Sequence, residues 1–226
     1  MKIPLFDVDG TLTMKGNRIQ DRALRYAFHK LYSLDASMDE ITSHGLIEAQ
    51  IVTEILKLHG FKKEDVKKDL EKIYDTMREY ILSQKDTLYR PKPGAIELLE
   101  TLQQKGFTIG VLTGNMDTVA EAKLGTAGLW KYVDFGAYGN EGEVRTDLVS
   151  IAKNRAEQIL KRKIEDKEVV IIGDTQRDIL CAQQTGIACI AVASGMVSKQ
   201  DLEKAGPDML VESLEEKDAI LSFLEN

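Results

Sequence analysis

The 226-residue sequence is poor in cysteine, proline and aromatic residues, and it has no long hydrophobic run. Cys181 and Cys189 are its two cysteines, and they lack the paired spacing of a zinc site, so we expect two small buried thiols. The opening MKIPLFDVDG has an apolar run that is too short for a signal peptide and is interrupted by Asp7. No window approaches the length of a membrane span. We therefore expect a cytoplasmic protein.

Positive charge is also in short supply. The chain has 30 Lys and Arg against 37 Asp and Glu, which gives a net charge of -7. This balance argues against a nucleic-acid-binding protein and against a polybasic membrane surface. An anionic substrate would need a local cation. The length suits one well-cored domain, or one domain that carries a smaller insertion, and it leaves monomer and homodimer both open.

Short apolar segments rich in β-formers alternate with segments of helical periodicity, such as one from about Thr146 to Lys161 whose apolar face would include Leu148, Ala152 and Ile159. Two of the apolar segments are continuously hydrophobic, which is typical of strands buried on both faces of a parallel sheet. The pattern predicts an α/β fold with a doubly wound, Rossmann-like parallel sheet. The predicted strands are IPLFDV (3–8), TIGVLT (108–113), YVDFGAY (132–138), VVIIGD (169–174), IACIAV (187–192) and DMLV (208–211).

One region breaks this alternation. Between about residues 14 and 88 there is no convincing strand, only helical stripes that begin near Ile19, Ile47 and Val66. Helices placed directly after the first strand indicate an inserted bundle. We therefore predict an α/β catalytic core formed by residues 1–14 and 89–226, and a helical cap formed by residues 15–88. The segment YRPKPG would be the stiff hinge at the exit of the cap.

Polar residues follow three of the predicted strands: DVDGT at 7–11, TGN at 113–115 and GDTQRD at 173–178. Ligands of open α/β sheets bind at the carboxyl ends of the strands. Clustered carboxylates suit Mg²⁺, and a carboxylate can also be a nucleophile. Asp7 could attack phosphorus while Asp9 handles a proton. Taken alone, each motif is also typical of a turn or a helix start, whereas all three at strand ends favour a site.

Together the three motifs resemble those of the haloacid dehalogenase-like hydrolases, and within them the phosphatases with a helical cap, similar to phosphoglycolate phosphatases. The family patterns DxDGT, hhTGN and GDxxxD fall at Asp7–Thr11, Leu112–Asn115 and Gly173–Asp178. The resemblance implies a Mg²⁺-dependent phosphomonoester hydrolase that works through an aspartyl-phosphate. Its substrate would be a small phosphorylated metabolite, either phosphoglycolate-like or a sugar phosphate.

The same resemblance implies a role for each motif residue. Asp7 would be the nucleophile and a metal ligand, and Asp9 would be the general acid and base with its backbone carbonyl on the metal. Asp174 would be a further carboxylate ligand, and Asp178 a supporting acid near the water shell of the metal. The residues expected to hold the phosphoryl group and the substrate are Thr113, Gly114 and Asn115.

The basic residue of the family departs from its commoner form, because no K-P-x-P sequence occurs between residues 136 and 168. Arg145 and Lys153 are the candidates. We favour Arg145, because it enters a predicted helix from a strand-end loop and can reach the rim, whereas Lys153 fits a solvated helix charge.

In the predicted cap, the loop TSHGLIEAQI is expected to face the substrate, with His44, Gly45 and Gln50 as its contacts. The alternative for His44 is a surface or capping residue. Lys15, Arg18 and Arg25 follow the first motif and would either attract an anionic group or remain solvated.

The residues present also discriminate among other functions of this fold. Dehalogenation is disfavoured because that branch lacks the second acid, which is Asp9 here. A phosphomutase uses the same motifs and differs in the acceptor of the phosphoryl group, so it stays the alternative. Phosphonate hydrolysis would require a cap lysine, and no lysine stands out. A non-enzymatic interaction protein would be expected to lack a motif acid, and each acid has a matching residue.

Overall fold

A computed structural model describes the whole chain except Lys15, Asn17 and residues 85–87. The strands are β1 (Ile3–Phe6), β2 (Gly110–Thr113), β3 (Phe135–Tyr138), β4 (Val169–Gly173), β5 (Ala188–Val192) and β6 (Met209–Val211). The α-helices are α1 (Ile19–Tyr32), α2 (Glu48–Leu58), α3 (Lys63–Ser83), α4 (Ala95–Gln104), α5 (Asp117–Thr126), α6 (Arg145–Leu160), α7 (Gln176–Thr185), α8 (Lys199–Lys204) and α9 (Lys217–Glu225). Short 3-10 turns lie at Met38–Glu40, Trp130–Tyr132 and Asp166–Glu168.

The six strands form one parallel sheet in the order β3-β2-β1-β4-β5-β6. This confirms the predicted α/β fold with a Rossmann-like sheet. The chain builds the sheet outward from β1 through β2 and β3, and it then returns to add β4 on the other side of β1. The loops that follow β1 and β4 therefore diverge, and such a switch point leaves a crevice at the carboxyl ends of the strands.

Element boundaries shift slightly from the predicted ones. Strand β1 ends two residues early because the Val8 carbonyl accepts hydrogen bonds from the N–H groups of Leu12 and Thr13, which turns the chain. Ile159, predicted on the buried face of α6, is 46% exposed. The buried face of α6, which packs against β3 and α7, runs through Leu148, Val149, Ala152 and Ala156.

Apolar side chains fill both faces of the sheet, because successive strand residues point to opposite sides. Leu5 belongs to one cluster, with Leu112 and Ile171. Phe6 belongs to the other, larger cluster, which also takes in apolar residues of the helices between β1 and β2, among them Phe28, Ile55 and Ile73. The sheet and helices α1–α3 thus share one buried cluster. The division into a core (1–14, 89–226) and a cap (15–88) stays a prediction, and part of the cap range lies outside the described residues.

Cys181 and Cys189 are both free and buried, as expected. Burial raises the pKa of the Cys181 thiol to about 11, which makes it a poor nucleophile near neutral pH. Among the described residues, no helix combines the length and the apolar character that crossing a bilayer requires.

Candidate active site

The predicted site residues gather where β1, β2 and β4 end. Asp7 follows β1 directly, and its N–H donates to the Ile172 carbonyl at 2.9 Å. Thr113 is the last residue of β2, and Asp174 follows the last residue of β4. Because β1 lies between β2 and β4, these three loops meet at one edge of the sheet.

Three buried carboxylates form a cluster at this edge. Asp7, Asp174 and Asp178 each offer one oxygen, and the three oxygens lie within 4.8 Å of one another. Burial raises the pKa of Asp7, Arg145 opposes this, and the neighbouring aspartates raise the pKa further. Burial, together with Asp178, also raises the pKa of Asp174 to about 7. Crowded carboxylates of this kind need a proton or a cation, and hard oxygen donors around such a position fit Mg²⁺.

Two glycines allow the backbone to approach Asp174 closely. A Cβ on Gly10 or on Gly195 would overlap the Asp174 carboxylate. Gly10 also has φ 85°, a left-handed conformation that favours glycine. The Thr11 hydroxyl donates to Asp174 at 3.0 Å, and the Ser194 hydroxyl donates to the Gly10 carbonyl at 2.8 Å. The loops after β1 and β5 therefore fix Asp174 from both sides.

Arg145 provides positive charge inside the cluster. It is the first residue of α6, is 8% exposed, and donates from Nη2 to Asp7 at 3.1 Å and to Asp178 at 2.5 Å. Burial alone would lower the pKa of Arg145, but Asp178 and Asp7 raise it, so the guanidinium stays charged. Lys153, the other candidate, forms an ion pair with Asp166 instead. Of the two, Arg145 is the one that contacts the predicted nucleophile.

Asp178 holds Arg145 in place. It lies in the first turn of α7, where its Oδ2 accepts from the hydroxyl of Thr175 at 2.6 Å and from the N–H of Thr175 at 3.0 Å. This is a capping box, and it fixes the carboxylate. The other oxygen accepts from Arg145. The predicted supporting acid is therefore in the cluster, with one oxygen engaged by a helix cap and the other by the guanidinium.

The loop after β2 is ordered by its own side chains. Thr113 is fully buried, and its Oγ1 accepts from the Asn115 N–H at 3.2 Å and from Asn115 Nδ2 at 2.8 Å. Among the described residues, the Thr113 hydroxyl accepts these two hydrogen bonds and donates none. The second amide proton of Asn115 goes to Asp9 Oδ2 at 2.7 Å. Asn115 thus bridges the first two motifs.

Asp9 lies outside the buried cluster, with its side chain 47% exposed. Lys123 donates to both of its oxygens, at 2.8 and 2.6 Å. Lys123 was not predicted as a site residue. The sequence does carry a signal for it, because this lysine falls on the apolar stripe of α5 formed by Val119, Ala120 and Leu124.

The first turn of α2 docks on the loop after β2. The Glu48 N–H donates to the Gly114 carbonyl at 2.8 Å, and the Ala49 N–H donates to the Gly139 carbonyl at 3.4 Å. A Cβ on Gly114 would overlap the Leu46 carbonyl. Glycine is therefore required at 114 for this close backbone approach, which brings the predicted cap directly over the predicted phosphoryl-binding loop.

The Glu48 side chain is a second residue that sequence reasoning missed. It is fully buried, and its Oε2 accepts from Gln20 Nε2 at 2.8 Å and from the Met116 N–H at 3.3 Å. Its Oε1 is buried and has no hydrogen-bond partner among the described residues. Burial raises the pKa of Glu48 to about 7. The sequence did carry a signal for Glu48, because it is an acidic residue on an apolar helical stripe, next to Ile47 and Ile51.

Of the predicted cap residues, Gly45 lies against the start of α7 and His44 lies against the loop after β5. His44 is exposed, and its Nε2 lies 2.9 Å from Met196 Sδ. Gly45 has φ 71°, and a Cβ there would press on the Arg177 side chain. The loop that carries both residues is therefore next to the loop after β4.

Arg18 and Arg25, which follow the first motif, form their ion pairs within the predicted cap and not with the acids at this edge. Arg18 and Arg25 both pair with Asp21 and Asp39 on α1 and the turn after it, and Lys15 lies outside the described residues.

Comparison with known proteins matches this arrangement to one family. The sequence model described as haloacid dehalogenase-like hydrolase matches residues 4–192. A probable phosphatase, IndB, of Dickeya dadantii is 28% identical over 94% of this chain and 90% of its own length. A phosphoglycolate phosphatase of Vibrio parahaemolyticus is 24% identical over 96% of this chain and 94% of its own. The crystal structure of a predicted phosphatase from Clostridium acetobutylicum superimposes with a TM-score of 0.70 at 23% identity, covering 98% of both chains.

Proposed function

Since the chain belongs to the haloacid dehalogenase-like hydrolases and is a phosphatase, we propose that it hydrolyses phosphomonoesters through an aspartyl-phosphate formed on Asp7. The observation that carries this proposal is the position of Asp7. Its buried carboxylate lies 3.1 Å from Arg145 Nη2, and one of its oxygens is within 4.8 Å of oxygens of Asp174 and Asp178. A nucleophile held beside fixed positive charge suits phosphoryl transfer, which depends mainly on positioning and charge neutralisation.

The reaction has two halves. In the first, an Asp7 carboxylate oxygen bonds to phosphorus, the ester oxygen leaves, and Asp9 gives that oxygen a proton. In the second, water attacks the phosphorus, gives its proton to Asp9, and releases inorganic phosphate, which restores the Asp7 carboxylate. Thr113 would donate its hydroxyl proton to the phosphoryl group, and the Gly114 N–H would face it. Arg145 would neutralise Asp7 and the transferring group.

The cofactor is proposed to be Mg²⁺. Asp7 and Asp174 would supply carboxylate oxygens, Asp9 its backbone carbonyl, and Asp178 would support the site through Arg145 and the surrounding water. When bound, the ion supplies charge neutralisation for the phosphoryl oxygens. The support is the donor set itself: three buried carboxylates for which Arg145 supplies one positive charge.

The substrate is proposed to be a small phosphorylated metabolite, such as phosphoglycolate or a sugar phosphate, in the cytoplasm. A relative named phosphoglycolate phosphatase agrees with this class. Water is proposed as the acceptor, and transfer back to a sugar hydroxyl would identify a mutase instead.

The test is release of phosphate from p-nitrophenyl phosphate and from a panel of phosphorylated metabolites, with and without Mg²⁺. We expect metal-dependent release by the wild type and loss of turnover in Asp7→Asn. Borohydride trapping followed by mass spectrometry should locate the acyl phosphate on Asp7. The hydrolase proposal fails if the wild type releases no more phosphate than Asp7→Asn. Isomerisation of a sugar phosphate without phosphate release would show a mutase.

A further inference from the structure

Lys123 is a charged residue in an unusual place. It lies on α5 and is 4% exposed. Its neighbours on the same helix face, Val119, Ala120 and Leu124, belong to the apolar core. A lysine is rarely buried to this extent unless its ammonium group is paired. The mechanism proposed above gives it no role, so the reason for its burial must lie in what the ammonium contacts.

The ammonium group donates to both oxygens of Asp9 and to Asn115, which itself donates to Asp9. Lys123 Nζ donates to Asp9 Oδ1 at 2.8 Å and to Oδ2 at 2.6 Å, and it donates to Asn115 Oδ1 at 2.8 Å. Asn115 in turn donates to Asp9 Oδ2. The Tyr89 ring covers the ammonium, with its centroid 5.6 Å from Nζ. Lys123 and Asn115 thus both donate to Asp9, and they also hydrogen-bond to each other.

These hydrogen bonds orient the Asp9 side chain. Its side chain is half-exposed and lies within the turn of the first motif, so packing alone does not fix its rotamer. A proton donor and acceptor must lie within hydrogen-bond reach of the reacting oxygen, and a carboxylate that rotates freely spends little time there. The pair of donors leaves the Asp9 carboxylate a single orientation.

We propose that Lys123, with Asn115, is a positioning residue that orients the Asp9 carboxylate for proton transfer. This inference rests on the proposed function, in which Asp9 is the catalytic residue. Lys123 acts through Asp9, because its hydrogen bonds go to Asp9 and Asn115. A purely structural role would be to neutralise buried charge in the core, and the two roles predict different kinetics.

The distinguishing measurement uses two substrates with different leaving groups. p-Nitrophenolate departs as a stable anion and needs little protonation, whereas the alkoxide of glycerol 3-phosphate needs a proton from Asp9. The value of kcat/KM reports the steps up to formation of the phosphoenzyme. For Lys123→Met we expect kcat/KM for glycerol 3-phosphate to fall at least about tenfold more than for p-nitrophenyl phosphate, within the roughly 10²- to 10⁴-fold range of general acid catalysis.

Matched variants complete the design. Lys131→Met, at an exposed lysine on a neighbouring turn, should keep the wild-type ratio of the two kcat/KM values. Lys123→Arg retains the charge and the donors and should restore part of that ratio. Thermal unfolding monitors folding. If Lys123→Met does not fold, Asn115→Ser removes one donor to Asp9 and should change the ratio in the same direction by a smaller factor.

The outcomes separate the two proposals. An active wild type with equal losses on both substrates in Lys123→Met and Asn115→Ser refutes the positioning role and leaves the hydrolase proposal standing. A wild type that releases phosphate from neither substrate, nor from any member of the metabolite panel, refutes the hydrolase proposal, and this inference with it. A larger loss with glycerol 3-phosphate, partly restored by arginine, supports Lys123 as the residue that orients Asp9.

Discussion

Glu48 offers a direct test of the contact between α2 and the loop after β2. The substitution Glu48→Gln keeps the shape of the side chain and an oxygen that can accept from Gln20 and Met116, but it removes the ionisation. The wild-type carboxyl is fully buried, and burial raises its pKa from 4.5 to about 7. Asp9 adds to this rise, while the hydrogen bonds from Gln20 and Met116 and the charge of Lys123 oppose it.

The sign of the effect follows from proton binding. Between 4.5 and about 7 the folded state keeps the Glu48 proton, whereas the unfolded chain has lost it. The resulting stability is present below 4.5 and is lost as the pH rises through about 7. At about 1.4 kcal/mol per pH unit, the interval corresponds to about 3 kcal/mol. The free energy of unfolding of the wild type, relative to Glu48→Gln, should therefore fall by about 3 kcal/mol, mostly between about pH 5 and pH 8.

Urea unfolding at a series of pH values, without Mg²⁺, measures this difference. Asp7 and Asp174 also titrate, but they are present in both proteins and largely cancel in the comparison. Glu97→Gln, at an exposed position on α4, is the matched control and should follow the wild type at every pH. Parallel curves for the wild type and Glu48→Gln across the window would refute the reasoning, because they would show that Glu48 ionises as freely in the folded protein as in the unfolded one.

Three further predictions concern the edge of the sheet. Arg145→Met should lower kcat for p-nitrophenyl phosphate by at least about 10²-fold, because it removes the charge beside the nucleophile. Lys153→Met should keep most of the activity. The reverse order would reassign the basic residue. Mg²⁺ should raise the melting temperature more at pH 8 than at pH 6, because protons compete with the metal for Asp174, whose pKa is raised to about 7. Asp174→Asn should reduce this rise in melting temperature. Equal rises at both pH values would contradict the prediction. Gly114→Ala should raise KM and lower the free energy of unfolding in urea by about 1–3 kcal/mol, because the new methyl group displaces the Leu46 backbone. Unchanged KM and stability would count against this contact.

The sheet and the three motifs could be predicted because their signals are local. A continuously apolar segment such as VVIIG indicates a strand buried on both faces, and the polar residues directly after it then lie at a known edge. Asp7, Thr113 and Asp174 are each one step from a strand, so the strand order brings them together. Arg145 was accessible for the same reason, because it lies at the start of a helix next to that edge.

Lys123 and Glu48 were missed because their partners are distant in sequence. Lys123 is 114 residues from Asp9, and Glu48 is 68 residues from Met116. A charged residue on an apolar helix face shows that a buried partner must exist, but helical periodicity does not say which residue it is. The exposure of Ile159 has a related cause, since the neighbours of α6 rather than its own apolar stripe decide which residues are buried.

The central position of β1 also bears on how the protein is made. Strand β1 leaves the ribosome while both of its neighbours are still far downstream, since Leu5 pairs with Gly110 and Ile3 with Val169. Asp7 therefore has no Asp174 beside it until about 170 further residues have been synthesised. Helices α1–α3 emerge soon after β1 and pack mainly against one another, whereas the apolar faces of the strands stay uncovered until the sheet forms. Pairing over such separations is slow and leaves apolar surface open in the nascent chain, so activity should arise late and all at once.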